Sequence, residues 1–166
     1  MNLNETKQFI ASLIDRNPSI TNKDLVKSKL GIYVPTAEKP HWFITIALPN
    51  DRDPVEMVEI TKNLQRHNYM TNYCFSIEFF SKSGENQHIH ILVWGNKVNK
   101  TKVIRDFSRK YDVSANFIDV KHSKRQQDYN NRLNYIKGIK DESKMESVEK
   151  DRVRRAELDL LDFYEE

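Results

Sequence analysis

Apolar residues recur along this chain at two spacings, and the switches between them mark the expected elements. Phe9, Ile10, Leu13 and Ile14 follow the helical period, so residues 1–32 open on an amphipathic helix. Asn17-Pro18 interrupts it, and Thr21 with Asp24 three residues on predicts a capping box for a second short helix that carries Leu25, Val26 and Leu30 and ends at Gly31. From Trp42 the composition changes. Trp42–Leu48 is dense in β-branched and aromatic residues and stops at Pro49-Asn50-Asp51, the pattern of a buried strand. Residues 54–66 set Val55, Val58, Ile60 and Leu64 among charges at helical spacing. Residues 72–80 read as a strand, Ser81–Asn86 as a turn and residues 87–94 as a third strand. A helix over Thr101–Tyr111 turns Val103, Ile104 and Phe107 inward, Asn116–Val120 gives a fourth strand, and Asp128–Lys137 is helical. The remainder, to Glu166, reads as a charged helical tail.

The order strand, helix, strand, strand, helix, strand predicts an α+β, ferredoxin-like βαββαβ fold. The expected sheet is antiparallel, of about five strands, with helices against one face and a hairpin across Ser81–Asn86. Three parts follow: a helical prefix at 1–32, a sheet domain at 33–140 and an acidic helical tail at 141–166. This scaffold hosts many unrelated activities, so function has to be read from side chains.

Composition narrows the setting. The chain has 166 residues, 38% of them hydrophobic, enough for a real core, and its mean hydropathy is −0.74. No apolar run approaches the roughly 20 residues that span a bilayer. The N-terminus lacks a basic segment followed by an apolar one, so no secretory leader is expected. Cys74 is the one cysteine, which excludes an internal disulfide and a thiolate zinc cage and points to a reducing, intracellular setting.

The strongest chemical signal is His88-Ile-His90. Side chains two apart on a strand share a face, about 7 Å apart at the backbone, so both imidazoles can reach one ion while Ile89, Ile91 and Val93 turn to the core. Glu78, set among Ile77, Phe79 and Phe80, is costly to bury unless it is paired or metal-bound, and a hairpin brings it alongside the histidines. Glu85 competes for that role but falls in the turn. Two imidazoles, a carboxylate and open water positions suit Mn²⁺ or Mg²⁺ acting on a phosphate oxygen. Tyr135 lies in a helical segment with Arg132, Lys137 and Lys140, cations that favour a phenolate over its ordinary pKa near 10. Standing alone it would read as a half-buried helix tyrosine.

These residues carry a resemblance. Phe43-Ile-Thr-Ile-Ala-Leu-Pro49, the strand with Glu78, His88-Ile-His90 and the Tyr135 helix, in that order, resemble the three motifs of HUH endonucleases, and most nearly the single-tyrosine replication-initiator (Rep) proteins of small circular single-stranded DNA viruses and related plasmids. The resemblance covers roughly residues 41–140 and makes 33–140 a nuclease domain. It implies a sequence-specific single-stranded DNA endonuclease and strand transferase that starts rolling-circle replication. Tyr135 would be the nucleophile, forming a 5′-phosphotyrosine, and Glu78, His88 and His90 would hold the metal. The implied partner is single-stranded origin DNA in a stem-loop, with neither a membrane nor a small molecule involved. The implied location is the host cytoplasm or nucleus for a virus and the cytoplasm for a plasmid or phage. One position departs from the family. Its lysine three residues after the tyrosine is Gly138 here, and Lys140 is preferred to Lys137 because a helix ending at Gly138 lets Lys140 turn back. Tyr129 is a second candidate nucleophile. No Gly-x-x-x-x-Gly-Lys-Ser/Thr loop is present, so unwinding would fall to a host helicase or a fused one.

DNA would lie on the basic stretch 97–125, which holds nine cations against three acids. Lys97, Lys100, Arg105, Lys121, Lys124, Arg125 and, on the next helix, Arg132 are candidate DNA contacts, with His122 beside bases and Trp42, Trp94 and Tyr73 as candidate stacking residues. The rival readings are a dimeric single-tyrosine transposase and a non-catalytic RNA-binding domain, which would want exposed aromatics where the histidines stand. The net charge of +3 conceals a division, since residues 141–166 hold ten acidic and five basic residues, leaving +8 on residues 1–140.

Overall fold

The structure, a computed structural model, describes residues 2–16, 37–95 and 97–165. The short helix expected around Thr21–Leu30 lies outside them. The described residues fold as α+β, with five α-helices and one five-stranded antiparallel sheet. The first helix, α1 (Leu3–Arg16), opens on a reciprocal cap in which Glu5 N donates to Asn2 Oδ1 and Asn2 N to Glu5 Oε2, both 2.9 Å. There follow β1 (Glu38–Ala47), α2 (Pro54–Lys62), β2 (Tyr73–Ser81), β3 (Gly84–Trp94), α3 (Lys100–Tyr111), β4 (Ile118–Arg125), α4 (Gln126–Ile136), α5 (Met145–Glu157) and the two-residue β5 (Tyr164–Glu165). Pro54 at the first turn of α2 and the Asp53 carboxylate, which accepts from Val55 N, fix where that helix begins.

The sheet order is β4-β1-β3-β2-β5. Each crossover skips one strand, β1-α2-β2 around β3 and β3-α3-β4 around β1, which is the split arrangement of the ferredoxin-like fold. Ile44, Ile46, Phe75, Ile77, Ile89 and Ile91 form one face and are fully buried against Met57 and Val58 of α2 and Val103 and Phe107 of α3. Thr61 and Tyr111 hydroxyls, 2.7 Å apart, satisfy each other inside that layer. Tyr73 is fully buried there too, its hydroxyl donating to Thr61 O, so it is a core residue and has no surface on which a base could stack.

The other face is also covered, contrary to the expectation of helices on one side. Tyr129, Leu133 and Ile136 of α4 pack on Cys74 and Leu92. Burial pushes the Cys74 thiol up to about 12, so it is inert at neutral pH. The reason is β4. It runs to Arg125 instead of stopping near Val120, and α4 starts at the next residue, which delivers that helix across the sheet. Alternating polar side chains on this edge strand, Lys121, His122, Lys124 and Arg125, hide its continuation from a hydrophobicity pattern.

The acidic tail is likewise more than a solvated helix. β5 pairs with Cys74 and Phe75 at one end of β2. At the other end two side chains of α5 replace a strand. Asp151 Oδ1 accepts from Phe79 N (2.7 Å) and Phe80 N (3.1 Å), and Arg155 Nη1 donates to Ile77 O (2.8 Å) while its Nε reaches Asp162. Asp151 and Arg155 are buried, one helical turn apart. A sheet edge that would otherwise present open amides is thereby closed. None of the described helices is long and apolar enough to cross a membrane. Replacing Asp151 with Ala strips two buried amides of their acceptor and should cost on the order of 2–4 kcal/mol in a urea melt. Glu149→Ala, on the exposed side of the same helix, should shift stability by no more than about 0.5 kcal/mol.

Candidate metal centre

The β2–β3 hairpin sets Glu78 directly opposite His88, and His90 lies between Ser76 of β2 and Thr45 of β1. All these residues share the face under α4. The register shifts between Glu78 and Phe80, because Asn86 and Gln87 together oppose Phe79. This bulge bends β3 immediately before His88, and Gln87 is pinned there, its N donating to Asn50 Oδ1 and its O accepting from Leu48 N.

Glu78, His88 and His90 each offer a ligand atom within 4.8 Å of the others, and all three are buried. Glu78 Oε2 is the shared vertex, 2.8 Å from His88 Nε2 and 3.4 Å from His90 Nε2. Asn86 O accepts from His88 Nδ1, and Thr45 Oγ1 lies 3.0 Å from His90 Nδ1. With each outer nitrogen held in this way, each inner Nε2 is turned to the carboxylate, an outer-shell arrangement that fixes imidazole orientation at metal sites. Glu78 Oε1 takes a short hydrogen bond from Lys140 Nζ.

Burial by itself raises the Glu78 carboxyl, but the imidazoles of His88 and His90 and the Lys140 ammonium outweigh it and hold the group well below the usual carboxylate range. Burial lowers His90, against the pull of Glu78, so its ring is neutral near pH 7 and suited to ligation. Two buried polar atoms on this face are poorly satisfied: His90 Nε2 has only the 3.4 Å approach to Glu78 Oε2, without hydrogen-bond geometry, and Ser76 Oγ has no hydrogen-bond partner. An anionic oxygen flanked by two imidazole nitrogens, one of them without a well-formed hydrogen bond, is a donor set that fits a divalent cation. The Glu78, His88 and His90 group could hold a metal ion.

Tyr135 is half-buried over this centre. Its ring meets His90 edge-on at 5.2 Å and Phe43 at 6.3 Å. The helix that carries it ends as the sequence suggests. Gly138 has φ +80°, Ile139 N donates to Asn134 O and Gly138 N to Tyr135 O, a Schellman stop. The chain then turns back and brings Lys140 Nζ to 3.9 Å from the Tyr135 ring centroid. Lys137 points elsewhere, to Phe163. Tyr129, one and a half turns earlier, is buried between His41 and Trp94, away from the triad, and burial raises its phenol.

A cleft of about 460 Å³ joins the triad, Tyr135 and Lys140 to Thr45, Lys82 and Lys144. Lys144 lies 4.8 Å from the Tyr135 ring centroid, at the end of a single 3-10 turn (Glu142–Lys144) that no periodicity reveals. Thr45 is absent from the expected site residues; the signal that could have found it is that it is the one hydroxyl in an apolar strand, on the face opposite Ile44 and Ile46. Glu85 is exposed near the turn and has no place in the cleft.

The candidate DNA contacts divide. Lys121 and Arg125 stand on the triad face of β4, and Arg132 is half-buried, its guanidinium 3.0 Å from His41 Nε2. Lys97, His122 and Lys124 gather around Trp42 and Trp94 at the far end of the sheet. Lys100 and Arg105 project from α3, whose packing face lies against the opposite side of the sheet from the triad. The basic stretch is therefore not one surface with the metal centre.

No family model, no curated protein and no solved structure matches this chain. Titrating metal-free protein with Mn²⁺ in a calorimeter should show one site. Glu78→Gln or His90→Ala should weaken it by more than about tenfold and erase the rise in melting temperature that bound ion gives the wild type.

Proposed function

We propose that this chain is a metal-dependent single-stranded DNA endonuclease and strand-joining enzyme of the HUH type, initiating rolling-circle replication at an origin stem-loop. The observation that carries the reading is a buried Glu78-His88-His90 donor set in one cleft with the Tyr135 ring, 5.2 Å from His90. A histidine pair held only for packing would have no need of a half-buried phenol and a lysine converging on the same cleft.

The chemistry follows from the groups. Tyr135 Oη attacks the scissile phosphorus. An O–P bond forms to the phenol oxygen, the bond to the 3′ oxygen breaks, and the phenolic proton leaves through solvent while the 3′ oxygen takes one up as a free 3′-OH. The 5′ side stays on the protein as a phosphotyrosine. Rejoining is the reverse, a 3′-OH attacking that ester with Tyr135 as the leaving group. Mn²⁺ or Mg²⁺, when bound by Glu78, His88 and His90, would supply Lewis-acid polarisation of a phosphate oxygen. Lys140 Nζ, 3.9 Å from the Tyr135 ring centroid, sets a positive charge beside the residue that is nucleophile in cleavage and leaving group in rejoining. Its hydrogen bond to Glu78 couples the two halves of the site. The free 3′-OH primes synthesis, with unwinding left to a host or fused helicase.

Incubation with single-stranded stem-loop DNA and Mn²⁺, followed by a denaturing gel, should give a covalent protein–DNA band. Tyr135→Phe should abolish the band and Tyr129→Phe should keep it. A band that survives the first change and vanishes in the second would move the nucleophile to Tyr129, and no band with any substrate would remove the nuclease reading.

A further inference from the structure

A cavity of about 710 Å³ plays no part in that chemistry. It opens at the end of the sheet away from the triad. His90 and Trp94 are four residues apart on β3, so the two places are roughly 13 Å apart along the strand. One wall is Trp42 of β1 against His122 of β4, neighbours across the ladder with ring centroids 4.5 Å apart. Trp94 borders it from the other face of the sheet, where its ring meets Tyr129 edge-on at 5.8 Å, and Pro40 and Val98 add apolar lining. Both tryptophans are only half-buried. Lys39, Lys97 and Lys124 stand around it against one acid, Glu38. Lys39 Nζ is 5.6 Å from the Trp94 ring centroid, and Lys97 and Lys124 are exposed.

Flat aromatic walls with a cationic rim match a ligand made of flat rings joined by anions. In a polymer that is a run of unpaired nucleotides, whose bases stack on indole and imidazole while phosphates meet the lysines. Duplex DNA keeps its rings stacked inside and cannot offer them. We propose that Trp42, Trp94 and His122 form a base-stacking site for unpaired DNA flanking the bond at Tyr135. That the strand is DNA rests on the nuclease reading.

The chain has two tryptophans and both border this cavity, so tryptophan fluorescence reports on its occupation. Short oligothymidylate, without metal, should quench the emission in a salt-sensitive titration, since phosphate contacts release counterions. Trp42→Leu should weaken binding on the order of tenfold, the loss expected of one stacked base. Lys97→Glu with Lys124→Glu alters only exposed side chains, so the fold is retained. It should weaken binding by a similar factor while leaving Mn²⁺ affinity at Glu78, His88 and His90 unchanged. Absent quenching, or wild-type affinity in the lysine double variant, would overturn the site. Tighter binding of oligouridylate than of oligothymidylate would overturn DNA as its occupant. Quenching that behaves as expected in a protein that forms no adduct would leave this site standing and remove the nuclease; adducts without quenching would do the opposite.

Discussion

The carboxylate of Glu78 is the constraint around which this fold is arranged. A negative charge inside a sheet is tolerated only where cations and donors surround it, and here each comes from a different segment. His88 and His90 come from the neighbouring strand, placed by hairpin register. Lys140 comes from beyond α4 and arrives only because Gly138 reverses the chain. The bulge at Asn86–Gln87 aims His88, and Asp151 braces the two amides that follow Glu78. A slip of one residue anywhere in the hairpin would turn Glu78 to the apolar core and the isoleucines to the charge, so burial on both faces enforces a single register.

That division of the sheet into two unlike faces explains how a small chain keeps a polar centre without losing its core. The face toward α2 and α3 is apolar along its length. The face toward α4 is apolar at one end, around Cys74, Leu92 and Tyr129, and polar at the other, around the triad. The helix α4 spans both, with Tyr129 in the apolar part and Tyr135 over the polar one. Two tyrosines on one helix thus have opposite environments, one sealed and the other facing an ionic cleft.

The charged tail has a structural part that its composition conceals. Its acidic and basic residues mostly face solvent, but Asp151 and Arg155 are turned inward to finish the hydrogen bonding of β2. The tail therefore reaches the centre in two ways, by holding the strand that carries Glu78 and by placing Lys144 in the cleft beside Tyr135.

Much of this was legible from the chain alone. Alternation in residues 87–94 already separates His88 and His90 from Ile89, Ile91 and Val93, because side chains of a strand must alternate faces. The βαββαβ order follows from where the period switches between 2 and 3.6. The lone acid among Ile77, Phe79 and Phe80 marks Glu78, because burial without a partner is too costly. Gly138 marks the helix end. The tertiary structure decided the rest, and each case is a partner distant in sequence. Local pattern cannot show that β4 continues through Lys121–Arg125, since its ladder to β1 and not its hydrophobicity holds it. Nor can it show that α4 crosses to the second face, that Tyr73 is sealed by Thr61, or that Asp151 stands in for a strand. Those depend on hydrogen bonds and packing between segments up to 91 residues apart, and a sequence read locally carries no record of which groups will meet.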